Sequence, residues 1–160
     1  GYETELAFLK KIKIHGIIFS GGNSLNKFEK KKENLLRDEF EIKLFNYFKK
    51  KNIPILGVCR GMQLISDLNN IKLFKTKNHV TKGHIIKLDN NKIMNVNSYH
   101  TFLIKENSKN FKTFAQNKKD NSVEAMKHKK NKILCIMFHP ERTSKDQDKV
   151  DKIFKEFFKI

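Results

Sequence analysis

The sequence predicts an α/β fold in which a mainly parallel central sheet carries helices on both faces and is extended by antiparallel strands. Two features of the segment order support this prediction. In the first 70 residues, short apolar runs alternate with amphipathic stretches, and this strand–helix–strand–helix order is typical of parallel sheets. Between residues 84 and 138, short apolar segments are separated by turn residues, which favours antiparallel strands.

The amino-terminal half supplies the predicted parallel strands and their helices. Residues 4–11 have the pattern of the end of an amphipathic helix. Buried strands are predicted at 15–19 and 53–58, because both are apolar runs that stop at glycine-containing loops. Helices are predicted at 34–50 and 61–68, where apolar side chains recur at helical spacing.

The carboxyl-terminal half predicts short strands and one further helix. The predicted strands or extended segments are 71–74, 84–88, 92–96, 112–115, 123–128 and 132–138, of which the last two form a hairpin. Segment 146–158 predicts an amphipathic helix, because Val150, Ile153, Phe154 and Phe157 share one face. The length of 160 residues fits a single domain, 1–160.

The composition argues against several classes of protein. No apolar run is long enough to span a bilayer and no signal peptide is visible, so we expect a cytoplasmic protein. The net charge of +17 comes from lysines spread along the chain, so we expect a solvated surface and no nucleic acid or membrane partner. A small anionic substrate is compatible with this charge. Cys59 and Cys135 do not make a disulfide framework, and Cys135 lies in an apolar run typical of a core.

A cysteine stands between two glycines where the second predicted parallel strand meets its helix. The segment Gly57-Val58-Cys59-Arg60-Gly61 has the pattern of a nucleophile elbow, with cysteine in the place of serine. Glycines let backbone elements approach closely at a sharp turn, and a helix N-terminus favours a thiolate. Cys59 is therefore a candidate nucleophile, and a buried structural cysteine is the alternative.

A histidine and a glutamate follow the last predicted strand. A thiol nucleophile requires a base and the base requires an orienting group, and His139-Pro140-Glu141 supplies both residue types. Catalytic residues converge at the carboxyl ends of parallel strands, so His139 and Glu141 are candidates for these roles. The alternatives are a histidine packed on Phe138 and a solvated glutamate paired with Arg142.

A glycine pair follows the first predicted strand. Gly21 and Gly22 can present backbone N–H groups to a developing negative charge without obstruction by side chains. The N–H of Arg60, next to Cys59, is the natural second donor. These three residues are candidates for an oxyanion hole, although a plain turn is the alternative for the glycine pair by itself.

In this order along the chain, the three motifs resemble those of the class I (triad) glutamine amidotransferase superfamily, over nearly the whole sequence. The resemblance implies a flavodoxin-like three-layer sandwich with Cys59 as nucleophile, His139 as base, Glu141 as orienting acid, and no cofactor. Gln63 matches the elbow glutamine that helps to hold the glutamyl group of the substrate. Asn97-Ser98-Tyr99-His100 matches the segment whose backbone grips the glutamyl amino and carboxylate ends.

Within that superfamily, the chain is similar to the γ-glutamyl hydrolase branch, peptidase family C26. The elbow, the Asn97–His100 segment and residues 120–125 carry this similarity. The short loop 24–32 and segment 124–129 are similar to γ-glutamyl-CDP-amidate hydrolases, which act in making the phosphoramidate decoration of bacterial capsules. The resemblance implies hydrolysis of a γ-glutamyl amide through a glutamyl thioester, on an anionic, nucleotide-linked substrate.

The amino-terminal part of this chain departs from the family pattern. Family members usually carry a strand, a helix and a second strand before the Gly-Gly strand, so we expect the amino-terminal strands to be missing here.

His79 and His84 raise the question of a metal pair. Their spacing suits neither a helix face nor a strand face, and no cysteine or acidic cluster joins them, so we expect no metal.

Two other functions remain open at this point. A glutaminase subunit that passes ammonia to a synthase partner uses the same triad, so the triad does not distinguish it from a hydrolase. A basic binding module that uses the fold as a scaffold would instead show salt-dependent binding to nucleic acid and no thiol reactivity at Cys59. The leaving group and the oligomeric state are not encoded in any pattern of this sequence.

Overall fold

Helices and strands alternate in the first half of the chain, and strands dominate the second half. The computed structural model describes residues 2–9, 11–80, 83–106 and 108–159. The helices are α1 (Tyr2–Leu9), α2 (Lys32–Lys50), α3 (Arg60–Leu68) and α4 (Gln147–Phe158). The strands are β1 (Ile17–Phe19), β2 (Ile55–Val58), β3 (Phe74–Lys75), β4 (His84–Leu88), β5 (Ile93–Val96), β6 (Phe102–Leu103), β7 (Phe111–Asn117), β8 (Val123–His128) and β9 (Ile133–Ile136).

Seven of the strands form one mixed sheet in the order β1-β2-β9-β8-β7-β4-β5. Strands β1, β2 and β9 are parallel, and each later neighbour in the sheet pairs antiparallel. This confirms the predicted parallel sheet with an antiparallel addition. Strands β3 and β6 form a separate two-stranded antiparallel sheet, which the sequence analysis did not predict.

Helices lie on both faces of the central sheet, as the sequence predicts. Along β2 and β9, successive side chains point to opposite faces. Ile55 and Cys135 pack in the core formed with α2 and α3, whereas Leu56 and Leu134 pack in the core formed with α4. Because the parallel strands are covered on both faces, they are apolar throughout and do not alternate with polar residues.

The predicted and observed elements differ most where strands are short. The segment predicted over 71–74 contributes only Phe74 to β3, which pairs with β6 across a long stretch of chain. The strand predicted over 132–138 stops at Ile136, so His139 lies on the loop that follows β9. Local apolarity predicts that a segment is buried, but partner strands decide where its hydrogen-bonded ladder ends.

Helices α2, α3 and α4 bury apolar side chains and are suited to covering a sheet. Helix α2, with 19 residues, buries Leu44, Phe45 and Phe48 against the sheet and is charged at most other positions. Across the described ranges, no helix combines the length and the apolarity needed to cross a bilayer.

Candidate active site

The carboxyl ends of β1, β2 and β9 meet at one edge of the sheet. The Gly21-Gly22 loop follows β1, Cys59 follows β2, and the His139 loop follows β9. Parallel neighbours thus bring together three motifs that are far apart in the sequence. Crevices at the carboxyl edge of a parallel sheet are the usual position of binding sites in such folds.

Cys59 occupies a strained backbone conformation between β2 and α3. Its φ of 50° and ψ of −102° lie in a region that residues other than glycine rarely adopt. Its N–H donates to the carbonyl of Ile136 on β9 (2.8 Å), and its carbonyl accepts from the N–H of Gln63 (3.0 Å). These two bonds hold the cysteine at the start of α3. Strain that is held in place by surrounding structure is a property of functional turns.

The elbow glycines allow α3 to approach the strands closely. A Cβ on Gly61 would lie 2.0 Å from the carbonyl oxygen of Phe19 on β1. A Cβ on Gly57 would lie 2.9 Å from the carbonyl carbon of Gly61. Because the obstructing atoms belong to the backbone, any larger residue would force these elements apart.

His139 and Glu141 are joined by a hydrogen bond. Nδ1 of His139 lies 2.6 Å from Oε1 of Glu141, whose carboxylate is largely exposed. The carboxylate acceptor assigns the ring proton to Nδ1 and leaves the lone pair on Nε2. Nε2 is buried and has no hydrogen-bond partner in the described part of the chain. A histidine held in this way can accept a proton at Nε2 while the carboxylate orients its ring.

The Cys59 thiol lies in a buried position beside the His139 loop. Val58 is in register with Ile136, so Cys59 and the loop leave adjacent strand ends. Burial raises the pKa of Cys59 to about 11; the backbone N–H of Arg60 lowers this pKa, and the negative charge of Glu141 raises it. A thiol held in its protonated form needs a base before it can attack a carbonyl.

Arg37 of α2 fixes the glycine loop that follows β1. Its guanidinium donates to the carbonyl oxygens of Ser20 (3.0 Å) and Gly21 (3.1 Å). In a trans peptide the N–H points away from the C=O, so the N–H groups of Gly21 and Gly22 point away from Arg37. Gly22 has a φ of 133°, and a Cβ there would lie 2.6 Å from the Arg37 guanidinium. The backbone conformation therefore favours glycine at position 22, and a larger residue would displace the Arg37 guanidinium.

The two other candidate oxyanion residues, Gly21 and Arg60, contact His139 and the charged side chains of α2, respectively. A Cβ on Gly21 would lie 2.6 Å from Cε1 of His139, so the base packs directly on this glycine. The side chain of Arg60 is buried and pairs with Asp38 and Glu41 of α2. Glu41 also accepts from Arg37 (2.8 Å). One network of charges therefore ties the elbow, α2 and the glycine loop together.

Sequence reasoning missed this network. Arg37, Asp38 and Glu41 look like ordinary charged positions of an amphipathic helix in the sequence. Their spacing does place an arginine four residues before a glutamate, which is typical of a surface ion pair. The spacing by itself does not indicate that Glu41 also pairs with the buried Arg60.

Asn97 holds the loop that carries the candidate base. Its Oδ1 accepts from the N–H of His139 (2.8 Å), and its Nδ2 donates to the carbonyls of His139 (2.8 Å) and Arg142 (2.9 Å). The expectation for this segment was contact with substrate through its backbone. The side chain of Asn97 holds the position of His139, and contact between the backbone of this segment and a substrate stays a prediction.

The remaining predicted substrate residues occupy different environments. Ser98 and His100 are buried: Oγ of Ser98 donates to the carbonyl of His79 (2.7 Å), and Nδ1 of His100 donates to the carbonyl of Phe102 (2.8 Å). Tyr99 is 41% exposed, and its ring lies edge-on to His139 with centroids 5.8 Å apart. Gln63 is buried on the first turn of α3. Of these residues, Tyr99 has both exposure and direct contact with the candidate base.

Three histidines and a glutamate converge beside the Tyr99 segment. The potential ligand atoms of His79, His84, His100 and Glu124 all lie within 4.8 Å of one another. The premise that no acidic residue joins His79 and His84 is wrong, because Oε1 of Glu124 on β8 lies 3.0 Å from Nε2 of His84. The spacing of residues along the chain does not reveal this cluster, because the order of the strands in the sheet brings Glu124 close to the histidines.

Comparisons with known proteins agree with this architecture. The family described as "Glutamine amidotransferase class-I" matches residues 2–160. The chain is 32% identical over 159 residues to the γ-glutamyl-CDP-amidate hydrolase of Campylobacter jejuni, an alignment that covers 99% of this chain and 76% of that protein. It is 34% identical over 146 residues to one of the subunits of the glutamine-hydrolysing GMP synthase of Pyrococcus abyssi, over 86% of this chain and 72% of that protein.

Among solved structures, the fold is similar to that of a protein of the GMP synthase type from Thermoplasma acidophilum. The TM-score is 0.74 at 20% sequence identity, over 94% of this chain and 76% of that one. This similarity establishes the fold, while the family match and the Campylobacter relative each span nearly the whole chain. The chain therefore belongs to the class-I glutamine amidotransferase family.

Proposed function

We propose that this protein is a cysteine-dependent hydrolase that cleaves a γ-glutamyl amide bond, with Cys59 as nucleophile, His139 as base and Glu141 as orienting acid. The observation that carries the proposal is the unpartnered, buried Nε2 of His139 in a loop beside the buried thiol of Cys59 on a strained elbow. A buried polar atom nearly always has a partner. A proton accepted from the Cys59 thiol gives Nε2 that partner during the reaction.

The reaction would proceed through a thioester. As Cys59 Sγ attacks the γ-carbonyl carbon, its proton passes to Nε2 of His139, and the carbonyl oxygen becomes an oxyanion. N–H groups of Gly21 or Gly22 and of Arg60 stabilise that oxyanion, each by roughly 3 kcal/mol in the transition state. His139 then protonates the leaving nitrogen as the C–N bond breaks. Water attacks the thioester with His139 as base, which releases glutamate and regenerates the thiol.

The substrate that we propose is a nucleotide-linked γ-glutamyl amidate, used in making the phosphoramidate decoration of a bacterial capsule. Two observations support this choice. The relative from Campylobacter jejuni, named for γ-glutamyl-CDP-amidate hydrolysis, aligns with 99% of this chain. The net charge of +17 also favours an anionic substrate over a neutral one.

The proposed mechanism is tested by labelling with a glutamine-like alkylating analogue, 6-diazo-5-oxo-norleucine, followed by peptide mass analysis. We expect one label per chain, confined to Cys59, because only an assembled site recognises the glutamyl group. Cys59→Ala should abolish both labelling and turnover, whereas Cys135→Ala should retain both, since Cys135 is buried in β9. Turnover that survives Cys59→Ala in the folded protein would rule out this nucleophile.

The proposed substrate is tested separately by comparing kcat/KM for γ-glutamyl-CDP-amidate, glutamine and a neutral γ-glutamyl anilide. We expect the nucleotide-linked substrate to be preferred. A chain that is labelled at Cys59 but hydrolyses all three equally slowly would keep the mechanism and contradict the substrate.

A second candidate function is that of a glutaminase subunit that supplies ammonia to a synthase. The 34% identity to two archaeal relatives favours it, because those proteins are named as subunits of a glutamine-hydrolysing GMP synthase. This function predicts weak glutaminase activity for the chain alone and strong stimulation by a co-purified synthase. Full activity of the isolated chain on γ-glutamyl-CDP-amidate would contradict it.

A further inference from the structure

Five buried polar atoms face one another without partners beside the Tyr99 segment. They are Nδ1 of His79, Nε2 of His84, Nε2 of His100 and both carboxylate oxygens of Glu124, none of which makes a hydrogen bond of normal geometry with the described residues. Buried polar atoms without partners are rare and costly, and five in one cluster are exceptional. A single cation placed between the four side chains would take one donor atom from each, so four of the five atoms would gain a partner.

The distances suit a cation in that position. Oε1 of Glu124 lies 3.0 Å from Nε2 of His84, 3.8 Å from Nδ1 of His79 and 3.8 Å from Nε2 of His100. Around a tetrahedral Zn²⁺ with bonds of about 2.0–2.1 Å, neighbouring donor atoms are about 3.3 Å apart. Because the most widely separated pair of these ligand atoms lies within 4.8 Å, the four side chains would have to draw together by up to about 1.5 Å to share one ion.

Two of the histidines are oriented as metal ligands usually are. The second nitrogen of His79, Nε2, lies 2.8 Å from Oδ2 of Asp120. The second nitrogen of His100, Nδ1, lies 2.8 Å from the carbonyl oxygen of Phe102. Each acceptor assigns the ring proton to the outward nitrogen and turns the lone pair of the other nitrogen towards the cluster. Carboxylate and carbonyl acceptors of this kind are the usual outer partners of metal-binding histidines.

We propose that His79, His84, His100 and Glu124 bind one divalent transition-metal ion, with Zn²⁺ as the best fit. Three imidazoles and a carboxylate match the nitrogen and oxygen ligands of Zn²⁺, and they fill all four positions of a tetrahedral site. A site filled by protein ligands has no open position for a reacting water. The ion therefore has a structural role and takes no part in the thioester chemistry.

The ion would join four segments that the backbone leaves separate. His79 follows β3, His84 begins β4, His100 precedes β6 and Glu124 lies on β8. The carbonyl of His79 already accepts from the N–H of His100 (3.0 Å) and from Oγ of Ser98. Tyr99, between those two residues, packs edge-on to His139. A metal cross-link at this point would hold the wall of the candidate active site that Tyr99 forms.

The test is the metal content of the 160-residue chain, produced without a polyhistidine tag and dialysed against metal-free buffer. We expect about one Zn²⁺ per chain by mass spectrometry. After the ion is removed with a chelator, one equivalent of Co²⁺ should give the intense visible absorption of a four-coordinate complex. A chain with no bound metal, or with only the weak absorption of six-coordinate Co²⁺, would overturn the proposal.

Substitutions of the proposed ligands and of an outer partner test where the ion is bound. His84→Ala and Glu124→Gln should lose the bound metal, and Asp120→Asn should weaken Zn²⁺ binding about 10- to 100-fold, since it alters only an outer partner of His79. His15→Ala, at an exposed histidine outside the cluster, is the matched control and should keep one equivalent. Metal retained by His84→Ala and Glu124→Gln would contradict the assignment.

If a variant does not fold, the location of the ion is tested with the wild-type chain. In the Co²⁺ form, the imidazole N–H protons of His79 and His100 should appear as strongly shifted NMR signals that exchange slowly, because Asp120 and the Phe102 carbonyl hold them. Their absence from a Co²⁺-loaded chain would place the ion elsewhere. None of these readouts depends on turnover, so they succeed or fail independently of the proposed hydrolase activity.

Discussion

At the scale of single residues, the candidate site combines a buried thiol whose pKa is raised with a histidine whose Nε2 has no hydrogen-bond partner among the described residues. Burial raises the pKa of Cys59 to about 11, and Nε2 of His139 has no partner in the described ranges. In the proposed mechanism, Cys59 stays protonated until a substrate is in place. Proton transfer and attack then belong to the same step.

The raised thiol pKa predicts a particular pH dependence of alkylation. Because the pKa lies near 11, the thiolate fraction of Cys59 is small at neutral pH and increases as the pH rises towards 11. We expect the rate of alkylation by iodoacetamide to rise about tenfold per pH unit between pH 7 and 9.5 without levelling off. Glutathione, an ordinary thiol, is the control and should level off near its own pKa.

The rate is measured from the mass of the Cys59 peptide, with circular dichroism to confirm that the protein stays folded over this pH range. A rate that is already constant at neutral pH would contradict the prediction. It would indicate that Cys59 and His139 form a thiolate–imidazolium pair in the free protein.

The hydrogen bonds of Asn97 predict that this residue positions His139. Asn97→Ala removes the hydrogen bonds to both the N–H and the carbonyl of His139, so the base should move by a fraction of an ångström or more. We expect kcat to fall about 100-fold with little change in KM, because misplacement of a catalytic group affects the chemical step. Steady-state kinetics on the preferred γ-glutamyl substrate measure both constants.

The control is Asn95→Ala, which removes a similar side-chain bond, to Asp146 (3.1 Å), on the same segment of chain. It should change kcat by less than about twofold. Equal losses in the two variants would indicate a general effect on stability and contradict a specific role for Asn97.

At the scale of elements, helix α2 both covers the sheet and shapes the edge where the motifs meet. Its apolar side chains Leu44, Phe45 and Phe48 pack in the core, while Arg37 and Glu41 connect the glycine loop to the elbow. Amphipathic helices usually direct charges to solvent. Here one end of the charged face is turned towards the carboxyl edge of the sheet, so the helix contributes to the site without contributing a catalytic residue.

This arrangement predicts that Arg37→Ala lowers activity through the oxyanion loop. Without the guanidinium, the carbonyls of Ser20 and Gly21 lose their donor, and the N–H groups of Gly21 and Gly22 lose their fixed direction. We expect kcat to fall about 10- to 100-fold, less than the full loss of an oxyanion donor, and KM to change little. Lys50→Ala, at the exposed end of the same helix, is the control and should retain full activity.

Denaturant unfolding of both variants separates a loss of stability from a loss of loop order. If Arg37→Ala has wild-type kcat while remaining folded, the loop does not depend on α2, and its proposed role in stabilising the oxyanion loses this support.

At the scale of the whole molecule, the net charge of +17 surrounds a site proposed to take an anionic substrate. A field of this sign raises the local concentration of anions, and added salt screens it. We expect kcat/KM for γ-glutamyl-CDP-amidate to fall several-fold between about 20 and 200 mM salt. The neutral γ-glutamyl anilide should show little change, and it serves as the matched substrate control.

Equal salt dependence for the two substrates would contradict electrostatic steering of the nucleotide. The measurement is initial rate at low substrate concentration, where kcat/KM alone determines the rate.

Features that depend on neighbouring residues could be predicted from the sequence. Helical periodicity located α2, α3 and α4 to within a few residues, and apolar runs located β1, β2 and β9. The His139–Glu141 hydrogen bond joins residues two positions apart, so the sequence placed both candidates at the end of the same predicted strand. The steric need for glycine at Gly61 was also visible, because the elbow pattern contains it.

Contacts between segments that are far apart in the sequence could not be predicted in this way. Strand β6 exists because β3 pairs with it, Asn97 reaches the carbonyl of His139 across 42 residues of chain, and Arg37 reaches the glycine loop from α2. The cluster of His79, His84, His100 and Glu124 depends on strands β4 and β8 and on two loops. Sequence periodicity reports which face of an element is buried, whereas the order of strands in the sheet decides what that face touches.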